Sequence, residues 1–141
     1  MRIYLSIKNT EGYSNRKRIE SICRALEACG HSVVCIARDL EHWGERKFTP
    51  RQLMQQTFKE INSCDFVLVE FTEKGVGLGT EAGYAYARGI PVIAAGRKGA
   101  ELSTTLDGVA SRVVFYNSPD ELIPVFYPAD TKDLLAKASK K

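Results

Sequence analysis

Apolar and polar positions along this chain follow two rhythms, compact apolar runs and stretches with an apolar residue every three or four positions. Arg2 to Ser6 is a short apolar run that reads as a strand. Ile19, Ile22, Leu26 and Cys29 then recur at helical spacing, predicting a helix from Ser14 to Ala28 with Ser14 or Asn15 as its N-cap. Gly30 stops it, and Ser32 to Ala37 reads as a buried strand. Residues 38–49 show no period and hold the only Trp, which predicts a loop over the sheet edge. Thr49-Pro50 opens a helix striped by Met54, Phe58 and Ile61, with Pro at a first helical position where its missing N–H costs nothing.

The clearest buried strand is Asp65 to Glu70. A glycine-rich loop, a helix to about Arg88, a break at Gly89 and strands over Ile90 to Ala95 and Arg112 to Tyr116 follow. Ser118-Pro119-Asp120-Glu121 caps a final short helix, and the Lys-rich tail from 129 onward is expected to fray. Strands alternating with helices predict an α/β domain over residues 1–128. Its five-stranded parallel sheet would be doubly wound, covered on both faces and ordered near 2-1-3-4-5. Ligands of such sheets bind beyond the strand C-termini at the switch between strands 1 and 3. That rule selects Tyr4 to Asn9, Glu70 to Glu81 and Gly96 to Ser103.

Composition narrows the function more than the fold. At 141 residues the chain supplies one core, and a net charge of +3 with mixed signs excludes wholesale binding to a nucleic-acid backbone, though not one anionic ligand. No apolar run has the length of a membrane span, and the first residues enter a strand without the layout of a secretory leader. Cys23, Cys29, Cys35 and Cys64 form no C-x-x-C pair, so structural thiols in a reducing cytoplasm are the leading reading, with zinc or a disulfide the alternatives. No metal and no cofactor is expected. Gly77-x-Gly79-x-x-Ala82 loosely satisfies a dinucleotide fingerprint, but it follows the third strand, and no acidic residue ends the next strand to hold a ribose. No P-loop is present.

Glycines 75, 77, 79, 83 and 89 fall close together, which lets backbone approach a ligand, with a helix N-terminus behind to favour an anionic group. Glu81 reads as lying in the first turn of that helix. It is either a dipole-stabilised carboxylate or a functional one, and its small apolar neighbours Ala82, Gly83, Ala85 and Ala87 argue against a solvated charged face. An oriented carboxylate at a sugar-sized cleft can act as nucleophile at an anomeric carbon.

Tyr4 on strand 1, Asp65-Phe-Val-Leu-Val-Glu70, Gly75-Val-Gly-Leu-Gly-Thr-Glu81-Ala-Gly-Tyr-Ala and Gly89-Ile-Pro-Val together resemble the nucleoside 2-deoxyribosyltransferase superfamily over roughly residues 2–125. That superfamily includes base-exchanging transferases and hydrolases of nucleoside 5′-monophosphates. The resemblance implies a flavodoxin-like fold, a homodimer or larger assembly, a nucleoside or nucleotide as small-molecule substrate, Glu81 as nucleophile and Tyr4 orienting it. Gly75 stands where the transferases carry Asp, which favours the hydrolase branch. Ser103 matches that branch's phosphate-binding serine, supplied across the subunit interface. Ser6-Ile-Lys8 resembles its phosphate-end segment, and His42-Trp43-Gly44 a branch hydrolysing cytidine monophosphate, with Trp43 near the base. Gly77, Gly79 and Glu70 complete the expected substrate-binding set. Thr57 occupies the place of an active-site Asp and cannot transfer protons near neutral pH, so Glu70, Asp39 or Glu60 would have to substitute.

Overall fold

The computed structural model describes residues 1–128, 131–133 and 135. Five parallel strands, β1 (Arg2–Ile7), β2 (Ser32–Val34), β3 (Phe66–Glu70), β4 (Val92–Arg97) and β5 (Arg112–Tyr116), form one sheet in the order β2-β1-β3-β4-β5. This is the doubly wound, flavodoxin-like α/β architecture expected from the alternating pattern. Helices α1 (Arg16–Ala28), α2 (Pro50–Asn62), α3 (Val76–Ala87), α4 (Thr104–Val109) and α5 (Leu122–Val125) accompany it among the described residues.

Because strand side chains alternate, each face of the sheet has its own core. Ile3, Leu5, Phe66, Leu68, Ile93 and Ala95 pack with Ile19, Ile22 and Leu26 of α1 and with Leu122 and Phe126 at the α5 end. Tyr4, Val67, Val69, Val92 and Ala94 face Ile61 of α2, Leu78, Ala82 and Ala85 of α3, and Leu106 of α4. Thr49 caps α2 by accepting from the Gln52 N–H while the Gln52 side chain accepts from the Thr49 N–H, a closed capping box. Gly89, at φ +73°, ends α3 in the left-handed region. Gly96 is fixed by contact, since a Cβ there would lie 2.5 Å from the Phe71 ring.

Several local expectations are corrected. The second strand stops at Val34, because the Asp39 carboxylate accepts from the Cys35 N–H at 2.8 Å and the chain turns into a π-type helix over Ile36–Leu40. The glycine-rich segment is helix rather than loop, with Gly75 as N-cap and Gly77, Gly79 and Gly83 inside α3 without positive φ. Glu81 therefore lies in the second turn. His31, just after the Gly30 that stops α1, is buried with Nε2 2.6 Å from the Phe126 carbonyl oxygen. Arg18, within the basic run Arg16-Lys17-Arg18 at the start of α1, has a largely buried side chain that ion-pairs with Glu70 at 3.0 Å and Glu73 at 2.9 Å. The tail from 129 onward, expected to fray, falls mostly outside the described residues; within them, Thr131 is buried and Leu135 packs against the first core.

Candidate active site

The switch point between β1 and β3 opens into a cavity of about 330 Å³, within the range of small-ligand sites. Its floor is Tyr4, one wall is the start of α3 with Gly75, Gly77 and Glu81, and the other is Ile36, Ala37, Leu53, Met54 and Thr57. Lys8, Asn9 and Glu41 line its polar side.

Glu81 is placed by three elements. Its own helix brings it over the end of β1, where residues 4 and 6 face the same way by the two-residue period. The Tyr4 hydroxyl donates to Glu81 Oε1 at 2.6 Å, and the Ser6 hydroxyl donates to Oε2. Each carboxylate oxygen thus accepts one bond and keeps further acceptor capacity, and Glu81 lines the cavity. Burial pushes the Glu81 carboxyl above its ordinary range, while the Ser6 and Tyr4 donors pull it back down. The Tyr4 phenol is raised well above its usual value by burial, then by the adjacent Glu81 charge and by its bond to that carboxylate. Tyr4 therefore remains a donor, and the buried Thr57 lines the same cavity. Cys35 also lines the cavity; its thiol is pushed up to about 11, chiefly by burial, and stays protonated.

The remaining expected site residues divide. Lys8 and Gly77 line this cavity, and the absence of a side chain at Gly75 leaves room for the Lys8 stem, 3.4 Å from where a Cβ would sit. Ser6 turns to Glu81 instead of an open anion subsite. Glu70 is on the opposite face: residue 69 points toward Tyr4, so residue 70 points away, where it is fully buried against Arg18 and accepts from the Thr72 N–H at 2.6 Å. The other proposed substitutes for the missing acid are also committed elsewhere, Asp39 to the Cys35 N–H and Arg38, Glu60 to Arg2. Trp43 does not line the cavity; it packs edge-on to Tyr13, with the Arg16 guanidinium 4.6 Å from its ring centroid.

Gly79 and Ser103 line a second, more apolar groove of about 620 Å³ between α3 and α4, with Phe71, Leu78, Leu106 and Val109. Ser103 serves as the α4 N-cap there, accepting from the Leu106 N–H at 3.2 Å. Within this chain it does not meet Glu81. The residue missed by sequence reasoning is Glu41, the second carboxylate lining the Glu81 cavity among the described residues. Its segment has no period, and the π-type turn over Ile36–Leu40, closed by the Glu41 N–H donating to the Ile36 carbonyl at 2.9 Å, is not announced by the sequence.

No protein-family model matches the chain. A curated protein of Thermofilum pendens, assigned as a 2′-deoxynucleoside 5′-phosphate N-hydrolase, is 29% identical over 130 residues, covering 87% of this chain and 90% of the relative. Among solved structures, the CMP N-glycosidase BcmB of Clostridium botulinum superposes with a TM-score of 0.64 at 21% identity, covering 96% of this chain and 99% of that one. A 2-deoxyribosyltransferase of Bacillus psychrosaccharolyticus superposes with a TM-score of 0.65 at 18% identity, covering 87% and 90%. At those identities the structural likenesses establish the fold. No helix among the described residues is long and apolar enough to cross a membrane.

Proposed function

We infer that this chain, similar over most of its length to a 2′-deoxynucleoside 5′-phosphate N-hydrolase, belongs to the nucleoside 2-deoxyribosyltransferase superfamily and is an enzyme that hydrolyses the base–sugar bond of nucleoside 5′-monophosphates through Glu81. The observation that carries the reading is a carboxylate at the switch point with one oxygen held by Tyr4 and the other by Ser6. A nucleophile held at two points is aimed, and aiming is a large part of what a carboxylate needs to attack an anomeric carbon.

A Glu81 oxygen bonds to C1′ as the C1′–N bond breaks, and the bonding pair leaves with the base, which gains a proton. The glycosyl ester then accepts water at C1′; the C1′–Oε bond breaks and the carboxylate returns, with the water's proton released. Tyr4 and Ser6 donate most strongly to the ionised carboxylate, so they favour the second step, in which it is the leaving group. Burial works in the other direction, raising the basicity of Glu81 and with it the drive to attack.

Lys8 and the N-terminus of α3 make the neighbouring end of the cavity suitable for an anion. This supports a 5′-monophosphate over a free nucleoside. Gly75 in place of an acidic residue supports water over a second base as acceptor. A homodimer, with Ser103 of each copy offered to the other, and a cytoplasmic location belong to the same proposal; the four free, buried cysteines are compatible with a reducing compartment.

Incubation with ribo- and deoxyribonucleosides and their 5′-monophosphates, with and without a second free base, tests it by chromatography. Free base from monophosphates alone is the expected result. New nucleosides only in the presence of acceptor base would make the protein a deoxyribosyltransferase. Thr57, which removes the customary acid, favours a further reading as a nucleotide sensor. That outcome would appear as thermal stabilisation by nucleotides without turnover.

A further inference from the structure

Glu41 has no role in the reaction as derived, yet it lines the same cavity as Glu81. It lies five residues beyond Ile36, on the β2 side of the site, and its exposure is intermediate. The Asn9 side-chain amide donates to its Oε1 at 3.2 Å, which leaves Oε2 as an acceptor to be directed by the same fixed fork. The wall beside it, formed by Ile36, Ala37, Leu53 and Met54, is apolar.

With C1′ at Glu81, a phosphate is drawn to Lys8 and the α3 N-terminus, and the base is left the apolar wall. A heteroaromatic ring suits that wall because its faces are apolar while its hydrogen-bonding groups are confined to the edge; a sugar carries hydroxyls on every side. The side chain available to that edge is the Glu41 carboxylate, and a carboxylate accepts and does not donate. A base with an exocyclic amine at the 4- or 6-position presents N–H to it. The keto counterpart presents an oxygen lone pair at that position and carries its N–H on the adjacent ring nitrogen, so a carboxylate aligned on the exocyclic group is desolvated against a region of negative potential.

We propose that Glu41, oriented by Asn9, is a specificity-determining residue that selects amino bases over their keto counterparts. The inference rests on the reading that Glu81 attacks the anomeric carbon, which fixes where the base lies. The discriminating comparison is within pairs that exchange the exocyclic amine for a keto oxygen and place an N–H on the neighbouring ring nitrogen, cytidine against uridine and adenosine against inosine 5′-monophosphates.

The test measures kcat/KM for both pairs on the unmodified protein and on Glu41→Gln, which keeps the shape but can donate as well as accept. Dissociation constants for the same pairs are measured by calorimetry on Glu81→Gln and on Glu81→Gln/Glu41→Gln. A charge-assisted hydrogen bond predicts at least about a tenfold amino preference in the unmodified protein, collapsing toward unity with Gln at 41. Ratios near unity from the start, or ratios that survive the substitution, would overturn the role of Glu41. Absence of base release from every substrate would instead refute the hydrolase reading, and the calorimetric ratios would still decide the role of Glu41. Asn9→Ala is the second variant: it is expected to weaken the preference without abolishing it, and an unchanged preference would remove Asn9 from the device.

Discussion

Replacing Tyr4 by Phe removes a single oxygen from the centre of the site and leaves the ring in its core position between the sheet and α2–α3. The bond lost is short, 2.6 Å, and runs to a carboxylate, the class worth about 1.5–3 kcal/mol. If that loss falls on the ionised form of Glu81, the pH at which the carboxyl protonates rises by about one to two units, at about 1.4 kcal/mol per unit. The sign follows from the cause: burial already holds Glu81 high, Tyr4 and Ser6 hold it down, and one of those restraints is gone. The acid limb of kcat/KM for base release should therefore move upward in Tyr4→Phe. Above the limb the two steps respond oppositely, because a less stabilised carboxylate attacks more readily and leaves less readily. Single-turnover measurement of base release should accordingly fall less than steady-state turnover, which includes hydrolysis of the ester. An acid limb that stays in place or moves down, with the protein folded by circular dichroism, would refute the assignment of Tyr4 and Ser6 as the restraints on Glu81.

Other outcomes follow from the same geometry. Glu81→Gln should be more stable than the unmodified protein at neutral pH. A carboxyl raised on folding binds more protons folded than unfolded, so its contribution falls as pH rises from the unfolded value through the folded one, and the Gln advantage in Tm should shrink below that window. Lys8→Ala should raise KM for monophosphates several-fold and leave nucleosides unaffected, lowering the ratio read in parallel assays. Gly96→Ala should cost about 1–3 kcal/mol in urea unfolding, because the new Cβ displaces the Phe71 ring. Thr49→Ala should cost about 1 kcal/mol by the same measurement, through loss of the α2 capping box.

Strand order and the position of the site were legible because they follow from periodicity and topology, which a single sequence carries. Local stops were less so. The end of β2 depends on the Asp39 side chain competing for the Cys35 N–H, and a run of apolar residues conceals that competition. The segment after Gly75 reads as loop by glycine content, yet tertiary packing of Leu78, Ala82 and Ala85 holds it helical against its propensity. Ser6 and Glu70 were visible as polar residues at the correct edge, but their partners lie on other elements, and only the fold decides that Ser6 meets Glu81 and Glu70 meets Arg18. Trp43 invited a role at the base because an aromatic ring suits one; its ring is instead engaged by Tyr13 and Arg16.

Glu70 and Val69, adjacent in β3, point to opposite sides of the sheet, and that parity has a consequence for variation. The sheet acts as a partition, with a neutralised carboxylate on one side and the reactive one on the other. The parity is set by pairing along the whole strand, Ser6 beside Val69 and Ile7 beside Glu70. Substitutions in β3 alter packing one residue at a time, whereas deleting or inserting one residue would carry Glu70 into the reactive side and strip Arg18 of its partner at once. The length of β3, more than its composition, is what keeps the Glu70 charge out of the cleft.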